Sequence, residues 1–550
     1  MMKFCDGLEK VCDETKKMSS GKGNLPPHLM NTIRAIVEDR RFIVVLTDKN
    51  LGPAIMERVE YLNRVWTEHL SNVNSYEQIS SIQAVSTTKA ALSYLQGIVN
   101  EHWDSFPDNE QKTFIRAWDY RSRAKYRKSK FYIIMKILKN PMKSRPVTDC
   151  FNTEMSVYSK WLDIQFEKLV KHLPTRLKDS QDLLRQLIAL GYLPPGTRFF
   201  TADATAMYTN IDTEEGIAAI KRWLELFLEE IPEDFPPVDC LLEILRTVMT
   251  QNVFSFGDTY WMQVVGTAMG TPCACSYATL TYGLHERITL LPKHSVVTRN
   301  FLKRFIDDMF GLWYDPLMPL DLEEEDEKTW IESSNKWKEF VADLPSLGLS
   351  WTAETPSRKV NFLDLTLSIR NGVIHSTTYQ KWMNLYLYIP PHSAHPASCF
   401  KGLVFGILQR YWQQNTDRAD FTKFAGLFFN RLLARGHAEN DIAPLFRQAA
   451  THIDWKDKFP DLHIMKKTAK GKKRKDTLYL PWRFHPTGTS TRVVRNLYET
   501  HLEGHTLKES LVVSQSRPRN LRDLLMSNTF RCVGDNEQVS DIFKQYRDTV

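Results

Sequence analysis

Two adjacent carboxylates, Asp307 and Asp308, interrupt a run of apolar and aromatic residues, NFLKRFIDDMFGLWY (300–314). The apolar residues on both sides predict two short strands joined by a tight turn, with the carboxylates at its tip. An exposed acidic turn would give the same pattern, and this stretch alone does not distinguish the two. Paired carboxylates that a fold holds together are oxygen ligands suited to Mg²⁺.

A third carboxylate follows another predicted strand. The segment TRFFTADATAMYTN (197–210) begins as a strand and has Asp203 near its C-terminal end. Asp212 and Glu215 then form a D-x-x-E capping pattern that predicts the start of a helix. The buried face of that helix would comprise Ile217, Ile220, Leu224 and Phe227. A strand-end carboxylate beside a hairpin-tip pair would place acidic oxygens around one point, and two Mg²⁺ ions held there could support in-line nucleotidyl transfer.

The segment QVVGTAMGTPCACSYA (263–278) predicts a loop followed by a helix. Thr271 is a suitable N-cap and Pro272 a suitable first residue, for a helix that would end at about Leu291. Gly266 and Gly270 would let the backbone approach another surface closely.

Small residues keep one side of this predicted helix thin. They are Ala274, Ser276 and Ala278. Either this side packs against another helix, or it forms a platform for a base pair; the sequence leaves both open.

Positive charge is concentrated in two zones. Residues 111–145 contain twelve Lys or Arg and one acidic residue, and residues 401–550 contain 26 Lys or Arg and 16 Asp or Glu. Each zone by itself could be a solvated surface. Two zones, one with interleaved aromatic residues (AWDYRSRAKYRKSKFY, 117–132), favour a nucleic-acid backbone as partner.

Several classes of protein are disfavoured. The 550 residues contain no run of about 18 uncharged apolar residues, so we expect no membrane span. The first residues contain no apolar segment typical of a secretory signal. The eight cysteines form no CxxC pair, which favours a reduced intracellular compartment.

The remaining pattern predicts alternating helices and strands. Residues 41–47 and 131–138 predict strands, whereas 60–125 and 155–190 are largely helical in pattern. Residues 1–40 predict a weakly ordered or helical leader. The acidic stretch LDLEEEDEK (320–328) predicts a solvated insertion.

The ordered set of motifs resembles palm motifs A, B and C of reverse transcriptases, in particular those of Penelope-like retroelements, which are relatives of telomerase. The resemblance covers nearly the whole chain, from about residue 47 to about residue 530. It rests on these segments: TDKNLGPAI (47–55), TADATAMYTNIDTEEGI (201–217), GTAMGTPCACSYA (266–278), FIDD (305–308), NFLDL (361–365), YLYIPPHSAHP (386–396) and RPRNLRDLL (517–525).

This resemblance implies an α+β right-hand polymerase, with fingers, an antiparallel-sheet palm and a helical thumb. The expected domains are an N-terminal extension (1–110), fingers (111–195), a palm (196–385, with 236–262 between motifs A and B), and a thumb with a basic C-terminal region (386–550). The implied activity is RNA-directed DNA synthesis from a DNA primer, an RNA template and dNTPs.

The resemblance also implies roles for single residues. Asp203 and Asp307 would bind two Mg²⁺ ions, or Mn²⁺ in their place, with the Ala204 carbonyl as a further ligand and Asp308 contributing mainly charge. The dNTP would be bound by residues from three segments. These are Lys136, Lys139 and Arg145 at the triphosphate, Tyr208 as the gate that excludes a 2′-hydroxyl, and Gly270.

Some features depart from the family. Met135 and Leu138 stand where the family usually has the Pro and His of L-P-K-x-H-K, and Phe305 stands where many relatives have Tyr. A lysine after motif C often acts as general acid toward pyrophosphate, and the nearest residues here are Arg358 and Lys359. Many Penelope-like proteins continue into a GIY-YIG nuclease, and no such sequence is present in the 550 residues. Either this protein does not cleave its target and extends existing 3′ ends, or the sequence is a truncated or decayed copy.

The sequence leaves two alternative functions and the location of the protein in the cell undecided. An RNA-templated RNA polymerase is disfavoured by Tyr208, and an inactive nucleic-acid-binding protein by the intact carboxylates. The lysine-rich tract 466–475 could be a nuclear import signal, which would place the protein in the nucleus, or a basic loop on nucleic acid. The oligomeric state cannot be predicted from these features.

Overall fold

The structure is a computed structural model that forms two compact units. The larger unit comprises Asp39–Asn384 and Met526–Val550, and the smaller unit comprises Met1–Glu38 and Leu385–Leu525. The residues described are 2–19, 25–119, 128–381, 384–458, 477–484, 490–502, 510–516, 521–525 and 538–548. The lysine-rich tract 466–475 and residues 120–127 of the first basic zone lie outside them.

Helices and mostly antiparallel sheets confirm the predicted α+β class. The strands are β1 (Phe42–Leu46), β2 (Pro53–Glu57), β3 (Tyr76–Ile79), β4 (Lys130–Lys136), β5 (Lys143–Asp149), β6 (Thr197–Ala204), β7 (Asn252–Phe256), β8 (Thr259–Gln263), β9 (Leu302–Phe305), β10 (Asp308–Tyr314), β11 (Trp351–Ala353), β12 (Lys359–Phe362), β13 (Leu365–Arg370), β14 (Val373–Thr378), β15 (Thr477–Arg483) and β16 (Ser510–Ser516).

The described helices vary from one turn to more than five turns in length. They are α1 (Met2–Ser19), α2 (Pro27–Glu38), α3 (Arg58–Val65), α4 (Ser81–Glu101), α5 (Asp108–Trp118), α6 (Met155–Val170), α7 (Ser180–Ala189), α8 (Met207–Asn210), α9 (Thr213–Leu226), α10 (Val238–Thr250), α11 (Ala274–His285), α12 (Leu291–His294), α13 (Glu324–Ser333), α14 (Asn335–Asp343), α15 (Ala397–Gln414), α16 (Arg418–Ala434), α17 (Glu439–Lys458), α18 (Thr491–His501) and α19 (Ser540–Asp548). Two π-helical turns, Trp66–Leu70 and Glu286–Leu290, follow α3 and α11.

A four-stranded antiparallel sheet, in the order β11-β6-β10-β9, lies at the centre of the larger unit. Its two middle strands are buried on both faces. Phe200 of β6 belongs to the core formed with the helices on one face, whereas the next residue back, Phe199, packs against Phe310 in the core on the other face. Side chains alternate between the two faces of a strand. Burial on both faces therefore explains why the apolar runs in the sequence are continuous and are interrupted only at the carboxylates.

A five-stranded sheet, in the order β3-β8-β7-β4-β5, forms a second layer with its own core. The predicted strands at 41–47 and 131–138 correspond to β1 and β4. The β1–β2 hairpin is joined to this sheet by a bridge between Thr47 and Met135. Within the region predicted to be helical, Tyr76–Ile79 instead pairs with β8, because pairing with a distant strand outweighs local helix preference.

The acidic stretch predicted as a solvated insertion is helical from Glu324 onward, and one of its carboxylates is buried. Glu327 is 3% exposed and forms ion pairs with Arg198 and Arg358. The prediction of a wholly solvated insertion is therefore wrong at this residue. The sequence could not show this, because an amphipathic turn with one inward carboxylate has the same composition as a solvated loop.

The smaller unit combines the N-terminal helices with segments between Leu385 and Leu525. Helices α15, α16 and α17 pack around a core that includes Val404, Phe428 and Ile453. Helix α1 packs on α18, with the rings of Phe4 and Tyr498 centred 6.4 Å apart. Among the helices described, none is sufficiently long and apolar to cross a membrane.

The C-terminal helix α19 returns to the five-stranded sheet of the larger unit. Asp258, in the turn between β7 and β8, accepts hydrogen bonds from the backbone N–H groups of Val539 and Ser540 at 2.8 and 3.0 Å. Phe543 is 1% exposed, and its ring stacks on that of Phe256 with a centroid separation of 5.7 Å. The chain therefore leaves the larger unit after residue 384 and is anchored to it again at its C-terminus.

Replacement of Phe543 by alanine should destabilise the larger unit by about 3–5 kcal/mol, because it removes a fully buried aromatic ring. The measurement is the denaturant-induced unfolding of the full chain. Lys544→Ala, one residue along and exposed, is the matched control and should have little effect. Equal unfolding curves for both variants would show that α19 does not stabilise the sheet.

Candidate active site

The three predicted carboxylates are brought together by the register of β6 and β10. Asp203, the penultimate residue of β6, lies directly opposite Asp308, the first residue of β10. Asp307 lies in the two-residue turn before β10, and its carbonyl oxygen accepts a hydrogen bond from the N–H of Ala204 at 3.0 Å. The sequence predicted both members of the pair at the tip, whereas the structure places Asp307 in the turn and Asp308 in the strand.

The carboxylates repel one another. Partial burial, together with the charges of Asp307 and Asp203, raises the pKa of Asp308 to about 6. Partial desolvation by neighbouring protein atoms and the charge of Asp307 also raise the pKa of Asp203. A divalent cation would relieve this repulsion, so the chemistry of this donor set fits Mg²⁺ or Mn²⁺.

The described residues contain no group of three or more His, Cys, Asp or Glu side chains already arranged as an ion site. Asp203 is exposed, while Asp307 and Asp308 are half-buried. An ion held here would therefore complete its coordination with water and substrate oxygens, as Mg²⁺ does at open sites.

The turn that carries Asp307 has an unusual backbone. Ile306 has a φ of +58°, in the left-handed region that β-branched residues rarely adopt. Its carbonyl oxygen accepts a hydrogen bond from Arg304 Nη1 at 2.8 Å. A strained residue of this kind persists only when its surroundings fix it, and Arg304 supplies one such constraint.

Arg304 is itself held by a buried ion pair. Glu286 accepts hydrogen bonds from Arg304 Nε at 2.6 Å and Nη2 at 3.0 Å, and both side chains are at most 2% exposed. Nη2 also donates to the carbonyl of Thr279, and Glu286 accepts from the hydroxyl of Thr175 at 2.6 Å. These bonds connect the carboxylate hairpin to α11 and to the segment after α6, a network that the sequence analysis missed.

Tyr208 lies on the short helix α8 and borders the carboxylates. Its carbonyl oxygen accepts a hydrogen bond from the N–H of Thr267 at 2.6 Å, and its hydroxyl oxygen lies 3.1 Å from Cys275 Sγ. Burial and this contact raise the pKa of Tyr208 above its ordinary value. The loop after β8 and the first turn of α11 therefore hold Tyr208 from two sides.

The two glycines of this loop allow the predicted close approaches. A Cβ on Gly266, whose φ is +72°, would lie 2.6 Å from the carbonyl oxygen of Tyr208. A Cβ on Gly270, whose φ is +126°, would overlap the carbonyl oxygen of Thr148. The N–H of Thr148 also donates to the carbonyl of Met269 at 2.8 Å, so the loop is joined to β5.

Helix α11 begins later than the sequence predicted. Cys273 occupies the N-cap position, because Thr271–Cys273 form a turn in which the Thr271 carbonyl accepts from the N–H of Ala274 at 3.0 Å. The helical path also continues past Pro292 to His294, after the π-helical turn Glu286–Leu290 shifts the hydrogen-bond pattern. The predicted cap at Thr271 and the end near Leu291 are therefore wrong.

The thin side of α11 is packed within the protein. Ala274, Ser276 and Ala278 are all buried, and the Ser276 hydroxyl donates to Asp163 of α6 at 2.6 Å. Of the two readings that the sequence left open, the structure supports helix packing. Cys275, between two of these residues, is exposed.

The predicted basic residues lie on the β4–β5 hairpin. Arg145 of β5 lies opposite Ile134, and its Nη1 is 3.5 Å from Asp48 Oδ1. Its Nε is buried without a hydrogen-bond partner. Burial and the charge of Arg145 lower the pKa of Lys136. The hairpin therefore holds cationic groups whose charge is only partly compensated by protein carboxylates.

These cations act on the carboxylates. The charges of Lys139, Lys136 and Lys49 each lower the pKa of Asp203, opposing the effect of burial. Asp308 is influenced in the same direction by Lys381 and Lys49. The predicted lysines and the carboxylates thus share one electrostatic environment.

Lys49 and Lys381 were not identified in the sequence analysis. Lys49 lies in the β1–β2 connection with a φ of +62°, and Lys381 follows β14. Partial burial and the proximity of Lys49 lower the pKa of Lys381. The quoted TDKNLGPAI segment contains Lys49, so resemblance could have singled it out, whereas no local pattern marks Lys381.

The two residues considered as a general acid occupy other positions. Arg358 is ion-paired with the buried Glu327, and Lys359 begins the edge strand β12 and is exposed. Neither is among the charges that shift the pKa of Asp203 or Asp308.

No protein-family model and no curated protein matches this chain. Telomerase from Candida albicans in complex with a fragment of telomeric RNA is similar in structure, with a TM-score of 0.40 and 12% identity over 69% of this chain and 59% of that chain. Apo telomerase from Candida tropicalis gives 0.39 and 10% over 70% of this chain and 62% of that chain. The RNA-dependent RNA polymerase 3Dpol of Sicinivirus gives 0.34 and 10% over 78% and 85%.

This chain thus spans 59% and 62% of the length of these two telomerase chains. Because all three TM-scores are below 0.5, the likenesses carry no argument about function. The proposed function is therefore based on the geometry of the site.

Replacement of Glu286 by glutamine should destabilise the larger unit by about 3–5 kcal/mol, because it leaves the buried charge of Arg304 uncompensated. Denaturant-induced unfolding measures the effect. Glu225→Gln removes a carboxylate from an exposed pair with Lys221 and should change stability by less than about 1 kcal/mol. If the two variants unfold alike, the buried pair does not support the hairpin.

Proposed function

We propose that the larger unit is the catalytic part of a template-directed polymerase, and that the chain is an RNA-directed DNA polymerase similar to those of Penelope-like retroelements. The observation that carries the proposal is the register that places Asp203 opposite Asp308, with Asp307 in the adjoining turn. A cationic hairpin and a partly buried tyrosine surround this carboxylate group, as a site for a nucleoside triphosphate requires.

The carboxylates would bind the ions. Asp203 and Asp307 are the proposed ligands, with the carbonyl of Ala204 as a further one, and Asp308 adds negative charge. Bound Mg²⁺ or Mn²⁺ would activate the primer 3′-hydroxyl and neutralise the charge on the departing pyrophosphate. Strands β6 and β10 fix the position of the ion site, because they place Asp203 opposite Asp308 and are buried on both faces.

The cationic hairpin would bind the triphosphate. Arg145 presents a planar guanidinium suited to bidentate phosphate contacts, while Lys136 and Lys139 contribute point charges. The long 3.5 Å contact of Arg145 with Asp48 is weak enough to exchange for a phosphate oxygen. Lys49 and Lys381 extend the same positive field toward Asp308.

Tyr208 would select the sugar. Its backbone is fixed beside the carboxylates by the loop that contains Gly266 and Gly270. A ring under the sugar would collide with a 2′-hydroxyl and favour deoxynucleotides. The proposed partners are an RNA template, a DNA primer and dNTPs, and the proposed location is the nucleus.

The direct test is primer extension by the purified 550-residue chain on poly(rA) annealed to oligo(dT), with labelled dTTP and either Mg²⁺ or Mn²⁺. Incorporation that requires the RNA template supports the proposal. Incorporation of UTP in preference to dTTP would favour an RNA polymerase instead. Absence of incorporation with both ions would contradict both.

Replacement of Asp203 or Asp307 by asparagine should reduce primer extension by at least about 10³-fold, because the ions stabilise the reaction by several kcal/mol. Binding of labelled primer–template should change little, since basic side chains supply most of that affinity. Asp321→Asn, at an exposed residue of the acidic stretch, is the matched control and should retain activity. Extension near the wild-type rate by Asp203→Asn would refute the assignment of the ion site.

Replacement of Tyr208 by valine should admit ribonucleotides, because the obstruction to the 2′-hydroxyl is removed. The measurement is kcat/KM for each dNTP and for the matching rNTP, with discrimination expected to fall by about 10²-fold. Tyr192→Val, at a tyrosine 65% exposed and outside the site, should leave the ratio unchanged. A wild-type protein that already uses both kinds of nucleotide equally would show that Tyr208 is not a gate.

A further inference from the structure

The hydroxyl of Tyr208 is held by a cysteine. Tyr208 Oη lies 3.1 Å from Cys275 Sγ, and either group can be the donor. Within the part of the chain that the structure describes, Cys275 is the hydrogen-bonding partner of this hydroxyl. The contact joins the residue proposed to select the sugar to the first turn of α11.

The backbone on both sides of the exposed Cys275 is held by hydrogen bonds to α6. Two residues before it, the backbone N–H of Cys273 donates a hydrogen bond to the hydroxyl of Ser159 at 3.1 Å. On the other side, the hydroxyl of Ser276 donates to Asp163 at 2.6 Å. Cys273 and Ser276 are therefore both bonded to α6, which holds the backbone that carries the Cys275 side chain.

The ring of Tyr208 is less firmly fixed than its backbone. The N–H of Thr267 holds the backbone through the Tyr208 carbonyl, but two side-chain torsions remain. The ring is only half-buried, and on one side it packs against the main core of the larger unit. A bond at the far end of the ring removes the remaining freedom to swing.

From this geometry we infer that Cys275 is a positioning residue for sugar selection: its contact with the Tyr208 hydroxyl fixes the ring where it excludes a 2′-hydroxyl. The inference rests on the proposed function and adds a residue to it. Cys275 would not itself touch the sugar. It determines how strictly Tyr208 excludes ribonucleotides.

The test compares Cys275→Ala, Cys275→Ser, Tyr208→Phe and the double variant Cys275→Ala/Tyr208→Phe. For each, kcat and KM are measured separately for a dNTP and for the matching rNTP on one primer–template. Cys275→Ala should lower discrimination by about two- to tenfold, the range expected for the loss of one hydrogen bond. The change should appear mainly as better use of the rNTP, with kcat for the dNTP retained.

Two comparisons separate positioning from packing. Cys275→Ser replaces the thiol with a hydroxyl that can also bond to Tyr208, and it should restore most of the discrimination. Tyr208→Phe removes the same bond from the other side, so it should match Cys275→Ala, and the double variant should add nothing further. Cys399→Ala changes another exposed cysteine, in α15 of the smaller unit, and is the control.

The outcomes distinguish the two proposals. If the wild type incorporates no nucleotide, the proposed polymerase function fails. If the wild type discriminates between sugars and Cys275→Ala discriminates equally well, the function stands and the role of Cys275 is refuted. An effect of Cys275→Ala that persists in the Tyr208→Phe background would also refute it, because the cysteine would then act without the hydroxyl.

Discussion

The buried ion pair between Arg304 and Glu286 is the interaction on which the carboxylate hairpin depends. Removing two charges from water costs several kcal/mol per ion, and this cost is offset only when the remaining donors and acceptors are satisfied. Here the guanidinium also donates to the carbonyls of Ile306 and Thr279, and the carboxylate accepts from a threonine hydroxyl. One pair thus connects the turn, α11 and the segment after α6, and it stabilises the left-handed conformation of Ile306.

Backbone contacts position the other side of the site. Gly266 approaches the Tyr208 carbonyl and Gly270 approaches that of Thr148, at distances that a side chain would prevent. The loop between β8 and α11 consequently connects the tyrosine to β5, which carries Arg145. These contacts explain why a loop without catalytic side chains of its own can determine the geometry of the site.

Much of this arrangement could be predicted from local sequence. The strands containing Asp203 and Asp308 follow from apolar runs that end or begin at carboxylates, and the close approaches of Gly266 and Gly270 follow from the lack of a side chain. Other features depend on distant partners. Glu327 reads as solvated because its partners, Arg198 and Arg358, are far away in sequence, and β3 is a strand because β8 pairs with it.

The same reasoning explains why the cations were only partly identified. Lys136, Lys139 and Arg145 belong to one hairpin and could be read together, whereas Lys49 and Lys381 come from segments more than 300 residues apart. Their effect on Asp308 arises only when β1–β2 and the end of β14 are folded onto the same unit. Every residue to which we assign a catalytic or nucleotide-binding role lies within that larger unit. The geometry of the proposed chemistry is therefore fixed by one core, and the smaller unit contributes to it none of these residues.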